Sequence, residues 1–490
     1  MSGNPEEMVS GLERFLREYR GEMLLISTGA KSSPDTFSIF QRHSHLFDVF
    51  SISNLGDSLS RETGDGRRRM CLIQRFLQRN YPQAMVSDHS DLFQEKGAAA
   101  FRTCGPPLRA MEDVFRASME PNRGSRSEDW KLRNKMLRDL NPILEKRQSG
   151  LHEASMELGY GGLAELSLDV RGLDMRWLTE TLDTILDRTE PIYLEMLDTF
   201  LEPMAISLDE VERHDVLHLL CGREFDAMFP SQRIWNSLSR AASDMGAALG
   251  ASESIRLRNL GCGTAHFLPV EVPGEVYLFI EPNGGFVDYM RHFEEAGRAM
   301  QMGSISPEIP VEYRNLGYPV IQESSALLMQ SIISTRSWLH ARGDSITVAR
   351  FRRLFHLYRI YEIRRLASLL LFEMRMSTSS LTSIKNLHNS IMEENMHFPY
   401  RDEDFLLEII SPFSSADRIQ GFIFEAMLRR ALLEKAGEGW CSHPSTREAL
   451  KEIWLHGGRY GLPELANCIG YAELNPEPLV EEIEDLAHLV

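Results

Sequence analysis

Apolar residues return at helical spacing along almost the whole chain, and a chain so patterned can bury them only by packing helix on helix. Val9, Leu12, Phe15, Leu16 and Tyr19 form one such stripe, and similar stripes predict helices at roughly 107–118, 127–146, 174–202, 208–221, 232–248, 287–302, 318–338, 345–375 and 417–435. Breaks fall between them at Pro106-Pro107, in the EPNRGSRSED run and at the PNGG turn of residues 282–285. Only about 254–281 approaches alternation, through Ile255, Leu257, Val270, Val272, Val276, Leu278 and Ile280, with Pro273-Gly274 as a turn. The expected fold class is therefore all-α, that is, mainly helical with a small antiparallel β edge just ahead of the 287–302 helix.

The chain has 490 residues, 43% of them hydrophobic and 25% charged, enough to bury one large core or two or three smaller ones. Residues 1–150 are expected to form an N-terminal helical lobe and 151–490 a second helical domain carrying the 287–302 and 318–338 helices. The Ser/Thr cluster STSSLTS marks 376–399 as a flexible connection. A net charge of −18 opposes attraction to nucleic acid and to anionic membrane surfaces, so neither is expected as a partner. The run Arg67-Arg68-Arg69 reads as a solvated helix face. The first residues lack a basic start and an apolar block, no stretch has the ~20 apolar residues needed to span a bilayer, and the six cysteines include no C-x-x-C pair. A cytoplasmic protein with reduced cysteines is expected.

The segment 280–323 carries the chemistry. A helical zinc peptidase places two histidines one turn apart with a glutamate beside the first, because positions i and i+4 leave one helix face toward one metal ion. The corresponding five residues here are Glu294-Glu295-Ala296-Gly297-Arg298. Around them stand VPGEVYLFI, Gly284-Gly285, Asp288-Tyr289 and FEEAGRAMQ, and then Glu323 in VIQESSALLM, 29 residues after Glu294. Other segments fit the same frame: Leu151-His152-Glu153 to Tyr160, His214-Asp215 to Pro230, and Phe424 to Arg429. Taken together, the chain resembles the oligoendopeptidase F and thimet oligopeptidase group of helical zinc peptidases over most of its length.

That resemblance implies a gluzincin-like fold of two helical lobes around a deep cleft, with a β edge along the active-site helix that holds extended peptides by strand addition. It also implies what has been replaced. Glu294 and Arg298 stand at the two histidine positions, Glu295 at the general-base position and Glu323 at the third-ligand position. The group's C-terminal histidine and tyrosine have no counterpart, since the sequence has no tyrosine between Tyr400 and Tyr460 and no histidine between His397 and His443; the tyrosine's place falls at Ser414 to Arg418. A guanidinium has no lone pair for a metal, and Arg298 is expected instead to bridge the carboxylates of Glu294 and Glu323. The bland alternative is a surface i,i+4 pair worth ~0.3–0.5 kcal/mol.

The function expected on these grounds is that of a pseudopeptidase, a catalytically inactive homologue that binds a peptide or protein as sensor, scaffold or regulator, with no cofactor. Gly284, Gly285, Tyr289 and Arg418 are the candidates for the cleft. The alternative is an enzyme after all, either a peptidase with an unusual zinc-ligand set or a metal-independent cleft with Glu295 as its catalytic group. His214 and His218, one turn apart with Asp215 beside the first, make a rival metal site, although no strand or glycine turn leads into them. His292 lies two residues before Glu294 and so faces the other side of the helix. Arg342-Gly343-Asp344 reads as the loop and cap before the 345–375 helix.

Overall fold

The computed structural model describes residues 5–59, 62–101, 119–250, 254–259, 265–340, 342–376 and 381–486. The helix expected at 107–118, together with Cys104 and Cys262, lies outside them. The helices that carry the site and its walls are α1 (Pro5–Ser27), α2 (Gly64–Met85), α3 (Arg123–Glu157), α4 (Leu163–Arg171), α5 (Met175–Leu201), α6 (Phe286–Gly303), α7 (Val320–Ser331), α8 (Ser345–Arg375), α9 (Leu381–Met396) and α10 (Ser414–Ala436). The strands are β1 (Ile255–Asn259), β2 (His266–Glu271) and β3 (Glu275–Ile280).

Local chemistry sets several helix starts. Asn122, Asp174 and Asp344 each accept a hydrogen bond from a backbone N–H in the first turn of α3, α5 and α8. Asp344 thus fills the capping role read from its sequence context, while Arg342 of the same tripeptide stacks over Trp338 at 3.4 Å and donates to Met228 O. α3 runs without a break past residue 150, longer than the 127–146 stripe suggested.

The segment 376–399 is not a loop throughout. Residues 381–396 form α9, because His388, Ile391, Met392 and Met396 make a buried helical stripe that the Ser/Thr content masked. The sheet is mixed: β2 and β3 form the expected antiparallel hairpin, and β1 pairs with β3 in parallel, giving the order β1-β3-β2. Alternation identifies strands; it carries no information on the direction of the partner.

The apolar interior falls into two main clusters. The smaller gathers α1, α2 and the helices between them around Phe15, Phe40, Phe47 and Leu77, and reaches Tyr313 and Leu316 of the second half of the chain. The larger is organised by α8 and α10, which are buried on nearly all sides, Leu354–Glu373 and Ser415–Leu428 including. Helices so enclosed must pair their charges internally, as Arg359 does with Glu425 at 2.7 Å. No helix among the described residues is long and apolar enough to cross a membrane.

Candidate functional site

The site forms where α6, α7 and α10 touch. Gly297 on α6 lies so close to α7 that an added Cβ would come within 2.4 Å of Ser325 O and 2.8 Å of Ala326 Cα. Gly421 on α10 leaves as little room, with Glu323 Cβ 2.7 Å from where its own Cβ would be. Small residues at both crossings bring the helix backbones together, and the long side chains beside them, Arg298, Glu323 and Arg418, then project into one shared space.

In that space Arg298 forks Glu323, with Nε donating to Oε1 at 3.1 Å and Nη2 to Oε2 at 2.8 Å. Its Nη1 donates to Glu295 Oε1 at 2.6 Å and lies 3.8 Å from Glu294 Oε2. Arg418 adds a second guanidinium, donating to Glu323 Oε2 and to Glu294 Oε1, each at 2.8 Å, and to Glu362 Oε1 of α8 at 3.0 Å. Gln330 donates to Glu294 Oε1 at 2.6 Å. Four carboxylates and two guanidiniums are thus knitted together, with side chains between 10% and 18% exposed, which sets them apart from a surface i,i+4 pair.

The electrostatics follow from this geometry. Burial raises the Glu323 carboxyl, but Arg298 and Arg418 more than offset it and hold the group at about 2. Burial also raises Glu295, which Arg298 counteracts and Glu294 reinforces, leaving it above the usual carboxylate range. Both guanidiniums are held more firmly protonated than usual despite burial, Arg298 by Glu323 and Glu295, Arg418 by Glu294, Glu362 and Glu323.

The zinc that the resemblance implies does not fit these residues. Its space is filled by the forks of Arg298 and Arg418, two cations that cannot be titrated away, and the donors around them are carboxylates already paired to those cations. Among the described residues no group of three or more His, Cys, Asp or Glu side chains is placed to hold a metal ion.

The other candidates scatter. Gly284 and Gly285, with φ near +86° and +89°, pack against the 226–231 loop, and Gly285 N donates to Phe229 O at 2.8 Å. Tyr289 is fully buried beside Phe229 and Trp338, its hydroxyl donating to Pro230 O at 2.8 Å. These three hold α6 to the loop beneath it, and Arg418 alone of that set reaches the Arg298 network. The His214 ring lies between Glu212 and Asp215, and both oxygens of Asp215 are taken by Arg126 and Arg123. That cluster fixes the start of the Arg213–Leu220 helix, to which His218 also belongs. His292 is fully buried, with Glu281 N donating to its Nε2 at 3.3 Å, and ties α6 to the end of β3.

Three participants carry no signal in the sequence: Glu362, Gln330 and the main chain of β2. Glu295 Oε2 accepts a hydrogen bond at 3.0 Å from Phe267 N, on the edge of β2 away from β3. Two residues on, where the next amide would face the same way, stands Pro269, which has no N–H. α1 lies against β2, with Leu24, Leu268 and Val270 packed around Tyr277 and Phe279. The edge therefore offers an incoming strand little to bind.

No protein-family model matches the sequence, and no curated protein matches it. Among solved structures, an oligoendopeptidase F-type protein from Bacillus anthracis strain Ames is 13% identical with a TM-score of 0.67, over 100% of this chain and 97% of its own. PZ peptidase A, solved with an inhibitor, is 12% identical with a TM-score of 0.67 over 100% and 98% of the two chains. Metallocarboxypeptidase 1 of Trypanosoma cruzi is 12% identical with a TM-score of 0.64 over 98% and 99%. At such identities the likeness is one of fold. From end to end the chain has the helical fold that these peptidases share, as the resemblance in sequence implied.

Proposed function

We propose that this protein is a catalytically inactive form of the helical peptidase fold that has kept the cleft and uses it, in the cytoplasm, to hold a peptide or protein. The observation that carries the reading is the Arg298 fork on Glu323, with a third hydrogen bond to Glu295: a fixed cation satisfies the carboxylates that a zinc ion would otherwise join. Glu295 favours the alternative of a metal-independent enzyme only through its raised affinity for a proton. Against that, Arg298 and Phe267 N already engage both of its oxygens, whereas a general base needs one aimed at substrate. Capping of the β2 edge further implies that a bound chain is held by side chains of the cleft.

Elemental analysis of the purified protein, run beside cleavage assays on a quenched-fluorescent peptide library with and without chelator, tests this directly. The expected outcome is substoichiometric zinc and no chelator-sensitive cleavage. Stoichiometric zinc accompanied by cleavage that chelators abolish would overturn it.

A further inference from the structure

Two chambers open side by side between the N-terminal helices and the rest of the molecule, with volumes of about 370 and 390 Å³. The first lies next to the Arg298 network, since Phe267, whose amide binds Glu295, and Gln322, next to Glu323, both line it. The chambers share Arg79 and Arg171; Arg20, Arg75 and Arg314 line the first and Arg147 the second. Among the described residues no carboxylate lines either chamber. In a chain of net charge −18, that local excess of cations is the reverse of the molecule's overall balance.

Four of these six guanidiniums have no carboxylate behind them. Asp417 takes Arg171 in a fork with both bonds at 2.9 Å and lies 3.8 Å from Arg79. The remaining four rest on neutral groups. Arg147, 6% exposed, donates to Ser90 Oγ and Gln83 Oε1, each at 2.9 Å. Arg20 donates to Asn315 Oδ1 at 2.6 Å, Arg75 lies 5.7 Å from the Tyr318 ring, and Arg314 donates to Val272 O while its buried Nε has no partner. Burial pulls Arg20 and Arg147 down to about 10, the direction taken by a cation that lacks its anion. Gathering four such groups beside Arg79 and the already paired Arg171 around open space is costly unless an anion enters it.

We propose that this double chamber binds a short acidic peptide, whose carboxylates pair with Arg20, Arg75, Arg79, Arg147, Arg171 and Arg314. The inference rests on the reading of the cleft as a peptide-binding site and adds the class of peptide. An extended ligand fits better than a single small anion because the cations are spread over two adjoining chambers that share Arg79 and Arg171 rather than converging on one point. A peptide fits better than a nucleic acid strand because the molecule as a whole repels long polyanions.

Fluorescence anisotropy with short labelled peptides that are Glu-rich, Lys-rich or neutral tests it on the full-length protein. Single-stranded DNA, inorganic phosphate and citrate serve as competing anions. Acidic peptides should bind at least roughly tenfold more tightly than neutral ones, and the preference should fade between about 50 and 500 mM salt. Arg75→Gln combined with Arg79→Gln, at positions partly open to solvent and with Arg171 left to pair Asp417, should remove the preference without lowering Tm, while Arg138→Glu with Arg176→Glu on the outer surface should leave it intact. Equal binding of neutral and acidic peptides that survives the Arg75/Arg79 change would overturn the acidic class and leave a peptide-binding cleft standing. Binding confined to DNA, phosphate or citrate overturns the peptide assignment, and failure of every peptide to bind removes both readings.

Discussion

Arg298 shows how one side chain can take over the place of an ion. Its fork meets Glu323, its third nitrogen meets Glu295, and Arg418 supplies the charge that one guanidinium cannot. Replacing Arg298 with Met leaves Glu295 and part of Glu323 uncompensated, and should cost about 3 kcal/mol at neutral pH by denaturant unfolding. A loss below about 0.5 kcal/mol would mean the pair is worth no more than a surface contact. The dependence on pH has a definite sign. Glu323 is held below its unfolded value, so its contribution is full above about 4.5 and is lost as pH falls toward 2. The deficit of the Met variant should accordingly shrink over that interval. At this scale the sequence was informative about Arg298, because i,i+3 and i,i+4 relations on one helix are fixed by helical geometry. It was silent about Arg418 with Glu294, whose meeting across 124 residues depends on which helix packs where.

Among the elements, α8 and α10 are bound by a carboxyl that takes no part in the cleft network. Glu373 of α8 accepts hydrogen bonds from Phe413 N at 2.6 Å and Ser415 Oγ at 2.5 Å, and so caps the start of α10. Burial pushes it up to about 7, against the pull of those two donors. A raised carboxyl stabilises the fold fully below its unfolded value near 4.5, and the benefit is lost as pH rises through 7. The shift corresponds to about 3 kcal/mol. Glu373→Gln should therefore flatten the fall in stability between pH 5 and pH 8, measured as Tm against pH; an unchanged slope would show that Glu373 is not its source. Periodicity located α8 and α10 well because both are long and strongly patterned. α9 is hidden in the sequence because Ser and Thr at its start outweigh the stripe from His388 to Met396 that buries it.

Over the whole molecule, the N-terminal helices are docked to the second half of the chain by a few polar links around the chambers. Arg69 of α2 reaches Glu312 at 2.8 Å, a carboxylate only 2% exposed, and Tyr313 donates to Asp65 at 2.9 Å. Arg68 pairs with Glu464, so this basic run joins two parts of the chain and is not simply a solvated face. Arg69→Met strands Glu312 and should cost about 1–3 kcal/mol, with faster hydrogen exchange in α2; adding Glu312→Gln should recover most of the loss. A double variant no better than the single one would show that the link does not hold the two parts together.

By itself the sequence determined the helical class, the position of the hairpin, the frame running from Glu294 to Glu323 and the unsuitability of Arg298 as a metal ligand. The helical class, the hairpin and the unsuitability of Arg298 follow from side-chain chemistry and from periodicities that act over one or two turns; the frame follows from the resemblance over most of the chain. Only the tertiary structure decided that Arg418 and Glu362 complete the network, that Glu295 caps the edge of β2, that Tyr289 is buried and the two glycines pack on residues 226–231, and that six arginines line two adjoining chambers. Each of these depends on how closely two helices approach and at what angle, which the packing of the entire core sets and no local pattern records.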